Sequence, residues 1–110
     1  MNEEIRLLNQ LLDGCALRSQ ALAGNIANAS TPGYERRDVS FLDDLKTALR
    51  SGGSDEATDV KPTIQTDKTG RQVRLEDEFA ALSENQLLFM TSAELLSRKY
   101  SRIRSAIKGM

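Results

Sequence analysis

Two long stretches at opposite ends of this chain carry a seam residue at every third or fourth position, and this pattern restricts the fold more than any other feature. Such spacing places the repeating side chains on one face of a helix. We therefore predict an all-α fold in which two long terminal helices pair as an antiparallel, coiled-coil-like hairpin. The apolar packing positions are Ile5, Leu8, Leu12, Leu22, Ile26, Leu75, Phe79, Leu82, Phe89, Leu96, Tyr100, Ile103 and Ile107.

The same two seams contain less apolar positions. The first includes Cys15, Ser19 and Ala29, and the second includes Gln86 and Ala93. A single polar residue at a seam position can set the register of a helix pair at some cost in stability. Cys15 is expected to be a small buried apolar residue, with a reactive thiol as the less favoured alternative.

The first helix must end before Pro32, because proline lacks an amide donor and disfavours helical geometry in the residue before it. Pro32 and Gly33 together predict a tight turn, since glycine accepts the positive φ of a type II turn. After this turn, Ser40 and Asp43 form a capping pattern that introduces a short helix containing Phe41 and Leu45.

The middle of the chain is polar and has few aliphatic residues. We expect a flexible or weakly extended segment at residues 51–74, in which residues 67–70 form a turn between two short extended pieces. The chain is thus predicted to be a single unit. It divides into the first helix at 1–30, the turn and short helix at 31–50, the middle segment at 51–74 and the last helix at 75–109.

The composition argues against an enzyme. The chain contains no histidine and only one cysteine, so the commonest general base and the usual nitrogen and sulfur metal ligands are missing. The acidic residues of the middle segment lack the spacing of a calcium loop. We predict no catalytic residue, no metal and no cofactor, and we interpret Glu76 and Glu78 as partners of the helix dipole.

The charge balance predicts neither nucleic-acid binding nor a membrane span. The net charge is −1, and no stretch has the roughly 20 apolar residues that cross a bilayer. The basic residues at 98–108 could meet phosphate or an anionic membrane. We favour a packed helix whose flanking charges pair with acidic neighbours, because its apolar seam continues through Ile103 and Ile107.

Residues 25–34 resemble the N-x-x-N-x-x-T-P-G-Y motif of the flagellar basal-body rod and hook family. The matching positions are Asn25, Asn28, Thr31, Pro32, Gly33 and Tyr34. Residues 75–87, 95–100 and 104–109 are similar to the terminal helix of proximal rod members. The resemblance covers about residues 1–45 and 73–109 and leaves the middle unassigned.

This resemblance implies a structural subunit of the drive shaft that carries torque from the basal body to the hook. It implies assembly with copies of itself and with other rod proteins, contact with the basal-body ring and the export gate, and a periplasm-spanning location. It also implies export without a cleaved signal. Phe41 and Leu45 match the spacing of an element proposed for recognition at the export gate; inward packing of the same two side chains is an equal alternative.

Several leucines beside the seams widen each apolar stripe beyond what one partner helix covers. They are Leu7, Leu11, Leu17, Leu87, Leu88 and Leu95. Neighbouring subunits, or the short helix folded back on the pair, would cover them. The alternative function is a soluble helical-hairpin adaptor or export chaperone that binds one client helix with the same stripes.

Overall fold

The residues that the structure describes form three helices and one pair of strands in an elongated molecule. The computed structural model describes residues 2–50 and 61–109. The elements in chain order are α1 (Asn2–Ala27), β1 (Arg37–Ser40), α2 (Leu42–Arg50), β2 (Thr63–Thr66) and α3 (Leu75–Lys108). The molecule measures 62 × 26 × 15 Å, because α3 alone extends over about 50 Å at 1.5 Å per residue.

The two long helices lie side by side and run antiparallel. Near one end, the side chain of Asn25 in α1 donates to Glu78 in α3, and at the other end Lys99 of α3 pairs with Glu4 of α1. This register places residue 2 opposite residue 101. The last residues of α3 therefore continue beyond the first residue of α1.

The helix α1 ends at Ala27, three residues before the predicted boundary. The backbone then turns through four hydrogen bonds, in which Asn28 N–H donates to Gly24 O, Ala29 N–H to Ile26 O, Thr31 N–H to Asn28 O and Tyr34 N–H to Thr31 O. Gly33 has a φ of +77°, which a residue with a side chain rarely adopts. The predicted turn at Pro32 and Gly33 is thus present.

The all-α prediction is only roughly right, because β1 and β2 form a two-stranded antiparallel sheet. The strands pair Arg37 with Thr66 and Ser40 with Thr63. The extended piece at 63–66 therefore pairs with residues that precede α2, whereas a local hairpin around residues 67–70 was predicted. That prediction was wrong, since residues 71–74 form no strand.

The small core lies between the helix pair and the β1–α2 segment. Cys15, Val39 and Phe41 form its centre, and Leu11, Leu17, Ala21, Leu88 and Phe89 pack around them. Leu45 of α2 is also buried. The β1–α2 segment thus covers one side of the helix pair. Leu11, Leu17 and Leu88, three of the leucines beside the seams, pack there, as expected if the short helix folds back on the pair.

The middle segment divides in two. Residues 51–60 of the predicted flexible stretch lie outside the described residues. Residues 61–74 contain β2 and the loop that leads to α3, where Asp67 accepts hydrogen bonds from the backbone and hydroxyl of Thr69.

Candidate functional site: a buried polar network and an exposed stripe on the last helix

The N-x-x-N-x-x-T-P-G-Y motif builds a buried hydrogen-bond network at the end of the helix pair where α3 begins. Asn25 is fully buried. Its Oδ1 accepts from the hydroxyl of Tyr34 at 3.0 Å and from the backbone N–H of Arg37 at 2.9 Å. Its Nδ2 donates to the backbone carbonyl of Arg37 at 2.6 Å and to Glu78 Oε2 at 3.2 Å. One amide therefore joins α1, the turn, β1 and α3.

The second asparagine of the motif has a local role. Asn28 Nδ2 donates to the carbonyl of Gly24 at 2.9 Å, one of the carbonyls that the end of α1 leaves open. Its Oδ1 accepts from the hydroxyl of Thr31 at 3.1 Å. Asn28 and Thr31 thus hold the helix end and the turn in place.

Glu78 is the acidic centre of the network, whereas its position in the sequence predicted only a partner of the helix dipole. The side chain is 1% exposed, although it lies in the first turn of α3. Arg36 donates from Nε to Glu78 Oε1, and Asn25 donates to Oε2. A buried carboxylate is stable only when such partners compensate for the lost hydration.

Asp38 links the network to the middle of α1. Arg18 Nε donates to Asp38 Oδ1 at 3.0 Å, and Arg36 donates to Oδ2 at 3.3 Å. Partial burial alone would raise the pKa of Asp38, but the N–H of Val39 and the two guanidinium groups outweigh it, so the pKa is lowered. Burial alone would lower the pKa of Arg36. The contacts of its guanidinium with Glu78 and Asp38 outweigh this effect, so the pKa of Arg36 is raised.

A line of polar residues continues along the side of α3 that faces α1. Glu78, Asn85, Ser92 and Lys99 recur every seven residues, and the first three are buried. Asn85 Nδ2 donates to the carbonyl of Cys15 and to Ser19 Oγ, both at 2.8 Å. Among the described residues, Asn85 Oδ1 is the buried side-chain polar atom without a partner.

The predicted packing positions divide between two faces. Leu22 is fully buried, and Leu8, Leu12, Ile26, Leu82, Phe89, Leu96 and Ile103 are partly buried. Leu75, Phe79, Tyr100 and Ile107 are exposed, at 45%, 52%, 45% and 65%. The predicted α3 seam is therefore displaced towards solvent, because the polar line takes half of the positions that face α1.

The exposed side of α3 carries a stripe of its own. Spacings of three and four align Glu76, Phe79, Ser83, Leu87, Met90 and Glu94, which we call the outer stripe. Phe79, Leu87 and Met90 are 52%, 66% and 58% exposed. A groove beside this stripe is lined by Ser19, Ala23, Leu82, Ser83, Gln86, Leu87 and Met90.

The two residues of the proposed export element, Phe41 and Leu45, point into the core. They are 3% and 5% exposed, and Phe41 lies directly against α1 at Gly14. The folded chain thus shows the inward packing that was the alternative explanation of their spacing. Cys15 is also fully buried, and burial raises the pKa of its thiol, which disfavours a reactive thiolate.

Within the described ranges 2–50 and 61–109, no cluster of histidine, cysteine, aspartate or glutamate is suited to hold a metal. None of the helices in those ranges has the length and apolar character needed to cross a bilayer.

The chain is similar to curated flagellar rod proteins over most of its length. It is 30% identical to the flagellar basal body rod protein FlgB of Aeromonas hydrophila, over 84% of this chain and 83% of the relative. It is 32% identical to FlgB of Cereibacter sphaeroides, over 84% of each chain. FlgB of Escherichia coli K12 is 40% identical over 66 residues, 60% of this chain and 46% of the relative. No family model matches the chain.

Proposed function

Because this chain belongs to the FlgB family of flagellar basal body rod proteins, it is a structural subunit of the rod and not an enzyme, and we propose that its long helices complete their packing against neighbouring subunits. The outer stripe of α3 supports this proposal. The β1–α2 segment covers one side of the helix pair, whereas Phe79, Leu87 and Met90 stay exposed on α3. Exposed apolar stripes of this kind are typical of protein–protein interfaces.

The neighbours in this proposal are copies of this chain and other rod proteins, with the basal-body ring and the export gate at the base of the rod. Four of the predicted packing residues have largely exposed side chains and are available to a neighbour. They are Leu75, Phe79, Tyr100 and Ile107. Leu82, Phe89, Leu96 and Ile103 contribute to the pair itself. In this proposal the motif supports assembly indirectly, since its network holds the first turn of α3 against the end of α1. The motif residues are Asn25, Asn28, Thr31, Pro32, Gly33 and Tyr34.

Export without a cleaved signal and a final place in the periplasm-spanning rod complete the proposal. Phe41 and Leu45 are buried in the folded chain. If they are recognised at the export gate, recognition must take place before the β1–α2 segment folds onto α1. This order agrees with the marginal size of a core built around three buried residues.

A motility assay tests the role of the outer stripe. Leu87→Glu places a charge in the proposed interface, where burial without a partner is costly. The variant should fail to restore swimming in a strain that lacks the gene for this chain, while its helix content by circular dichroism stays normal. Gln20→Glu is the matched control, because it adds a charge at an exposed position of α1, away from the outer stripe.

Full swimming with Leu87→Glu would contradict this role of the stripe. An adaptor or chaperone makes a different prediction: the purified chain would bind one client helix in a fixed ratio and would be missing from isolated rods.

A further inference from the structure

We propose that the polar line of α3 fixes the register in which α3 packs on α1, so that its members determine the specificity of the helix pair. The polar line consists of Glu78, Asn85, Ser92 and Lys99, as described above. Register here means the alignment of the two helices along their common axis. It is a property of the single chain, so it can be measured independently of the rod function.

The apolar residues between the two helices leave this alignment open. On α3 they recur in steps of seven, and buried or partly buried apolar residues of α1 recur in steps of seven as well. They are Leu82, Phe89, Leu96 and Ile103 on α3 and Leu8, Cys15 and Leu22 on α1. Because the two repeats have the same length, a slide of seven residues, about 10 Å at 1.5 Å per residue, places apolar side chains on apolar side chains again. Apolar packing alone therefore admits more than one register.

The polar line, in contrast, does not repeat itself. Its four positions carry a carboxylate, an amide, a hydroxyl and an ammonium group in turn. Near one end of the line, Glu78 accepts a hydrogen bond from Asn25 of α1. At the other end, Lys99 pairs with Glu4 of α1. The residue numbers of both pairs add to 103, so the two ends of the line specify one and the same alignment.

Asn85 supplies the contact in the middle of the line. It is 1% exposed, and its Nδ2 donates to the carbonyl of Cys15 and to Ser19 Oγ, both at 2.8 Å. Its Oδ1 has no partner in the part of the chain that the structure describes, and a buried polar atom without a partner lowers stability. An apolar residue would avoid that loss, so packing does not explain the amide. A single buried asparagine can, however, specify the register of a helix pair.

Either slide of seven residues would place a polar group where it has no partner. If residue 92 takes the place of residue 85, Lys99 moves into the site of Ser92, which is 2% exposed. An ammonium group buried without a partner is costly. If residue 78 takes the place of residue 85, the carboxylate of Glu78 faces the carbonyl of Cys15, and two acceptors cannot bind each other. The line therefore penalises the registers that the apolar residues permit.

Distance measurements between two spin labels test the proposal on the full chain. In a Cys15→Ala background, Gln20→Cys and Ser101→Cys place one label at an exposed position of each long helix. In the observed alignment residue 20 lies opposite residue 83, which is 18 residues or about 27 Å from residue 101 along the axis. Pulsed electron paramagnetic resonance resolves the change of about 10 Å that a slide of seven residues produces. An excess of unlabelled chain removes distances between molecules.

Making part of the line apolar should loosen the register. For Asn85→Leu with Lys99→Leu we expect a second distance about 10 Å from that of the parent chain, while the midpoint of denaturation is not lowered. Residues needed for packing alone would give the reverse, a lower midpoint and a single distance. The matched control is Ser92→Ala with Arg102→Leu, which also changes one buried polar and one basic residue of α3. Because Ser92 donates to the carbonyl of Leu88 in its own helix, the control should keep the parent distance alone.

Moving the line should move the register with it. The moved-line chain repeats the four groups seven residues further along α3, and it carries Glu78→Ala, Asn85→Glu, Ser92→Asn, Lys99→Ser and Ala106→Lys. Residue 92 should then take the place of residue 85, and the distance between the labels should shorten by about 10 Å.

The parent distance alone in the moved-line chain, or in the chain with Asn85→Leu and Lys99→Leu, would overturn the proposal, because the turn and the strand pair would then set the register. A second distance in the control would overturn it as well, since any loss of side chains would then release α3. If the moved-line chain lacks the helix content of the parent by circular dichroism, the chain with Asn85→Leu and Lys99→Leu decides.

Discussion

The two ends of the helix pair use polar residues in opposite ways. At the end where α3 begins, Asn25, Tyr34, Arg36 and Glu78 satisfy one another in a buried network. At the other end, Arg102, Arg104 and Lys108 extend past α1 into solvent. The first arrangement fixes a shape within one molecule, and the second leaves charge available for contacts between molecules.

Removal of Glu78 should give the largest loss of stability. Glu78→Ala leaves the guanidinium of Arg36 without its buried partner and should lower the free energy of unfolding by about 3 kcal/mol, the lower end of the range for breaking a buried ion pair. Denaturant titration followed by circular dichroism measures the change. Glu84→Ala, an exposed carboxylate of the same helix without a salt bridge, should change stability by less than about 0.5 kcal/mol. Equal effects of the two substitutions would show that the buried network does not stabilise the end of the helix pair where α3 begins.

A pair of glycine substitutions in α1 should have effects of opposite sign. A Cβ at Gly14 would lie 2.6 Å from the ring of Phe41, so Gly14→Ala should destabilise the chain by about 2 kcal/mol through overpacking. At Gly24 the nearest atom is the hydroxyl of Tyr34 at 3.5 Å, an ordinary contact. Gly24→Ala should therefore stabilise α1 by up to about 1 kcal/mol through helix propensity.

The rescue variant decides the cause at Gly14. Gly14→Ala combined with Phe41→Leu should recover part of the loss, because the smaller side chain gives the new methyl group room. If both single glycine variants are stabilising, Phe41 does not pack on α1 as the structure shows.

The sequence predicted α1 better than α3, and the difference has a physical cause. On α1 the predicted seam residues Cys15 and Leu22 are fully buried. On α3 apolar residues occupy two faces, so periodicity alone could not tell the face towards α1 from the face towards solvent. The recurrence of Glu78, Asn85, Ser92 and Lys99 every seven residues was the available signal. Polar residues are rarely buried without partners, and those partners lie far away in the sequence, at Asn25 and Arg36 among others.

The strand pair was missed for a related reason. The extended character of residues 63–66 was predicted, but its partner β1 lies on the other side of α2. Local turn signals favour neighbouring pieces of chain, and nothing in the local pattern at Asp67 or Gly70 indicates a partner so distant. The Pro32–Gly33 turn, in contrast, depends on the backbone properties of those two residues alone, and it was predicted correctly.

Tyr34→Phe should lower stability less than Glu78→Ala or Gly14→Ala does. It removes one neutral hydrogen bond, from the Tyr34 hydroxyl to Asn25 Oδ1, while Asn25 Oδ1 keeps the N–H of Arg37. The expected loss is about 1 kcal/mol in the free energy of unfolding. Tyr100→Phe is the control at the other end, because Tyr100 is exposed and should tolerate the change. If Tyr34→Phe leaves the free energy of unfolding unchanged, the ring of Tyr34 is sufficient to close the turn without its hydroxyl.

The smallest expected effect is on the pH dependence of the free energy of unfolding, and Asp38 accounts for part of that dependence. The pKa of Asp38 is lowered in the folded chain, so the folded state binds its proton less readily than the unfolded state does. Its contribution to stability is therefore present above the ordinary aspartate pKa of about 4 and is lost as the pH falls through the lowered folded value. Asp38→Asn should flatten the stability curve in that acidic window, and Arg18→Gln should flatten it less, because Val39 N–H and Arg36 still stabilise the carboxylate. If the acid slope is the same in Asp38→Asn as in the parent chain, Asp38 does not couple the network to α1 and the rigid end is confined to the contacts of Asn25 and Glu78.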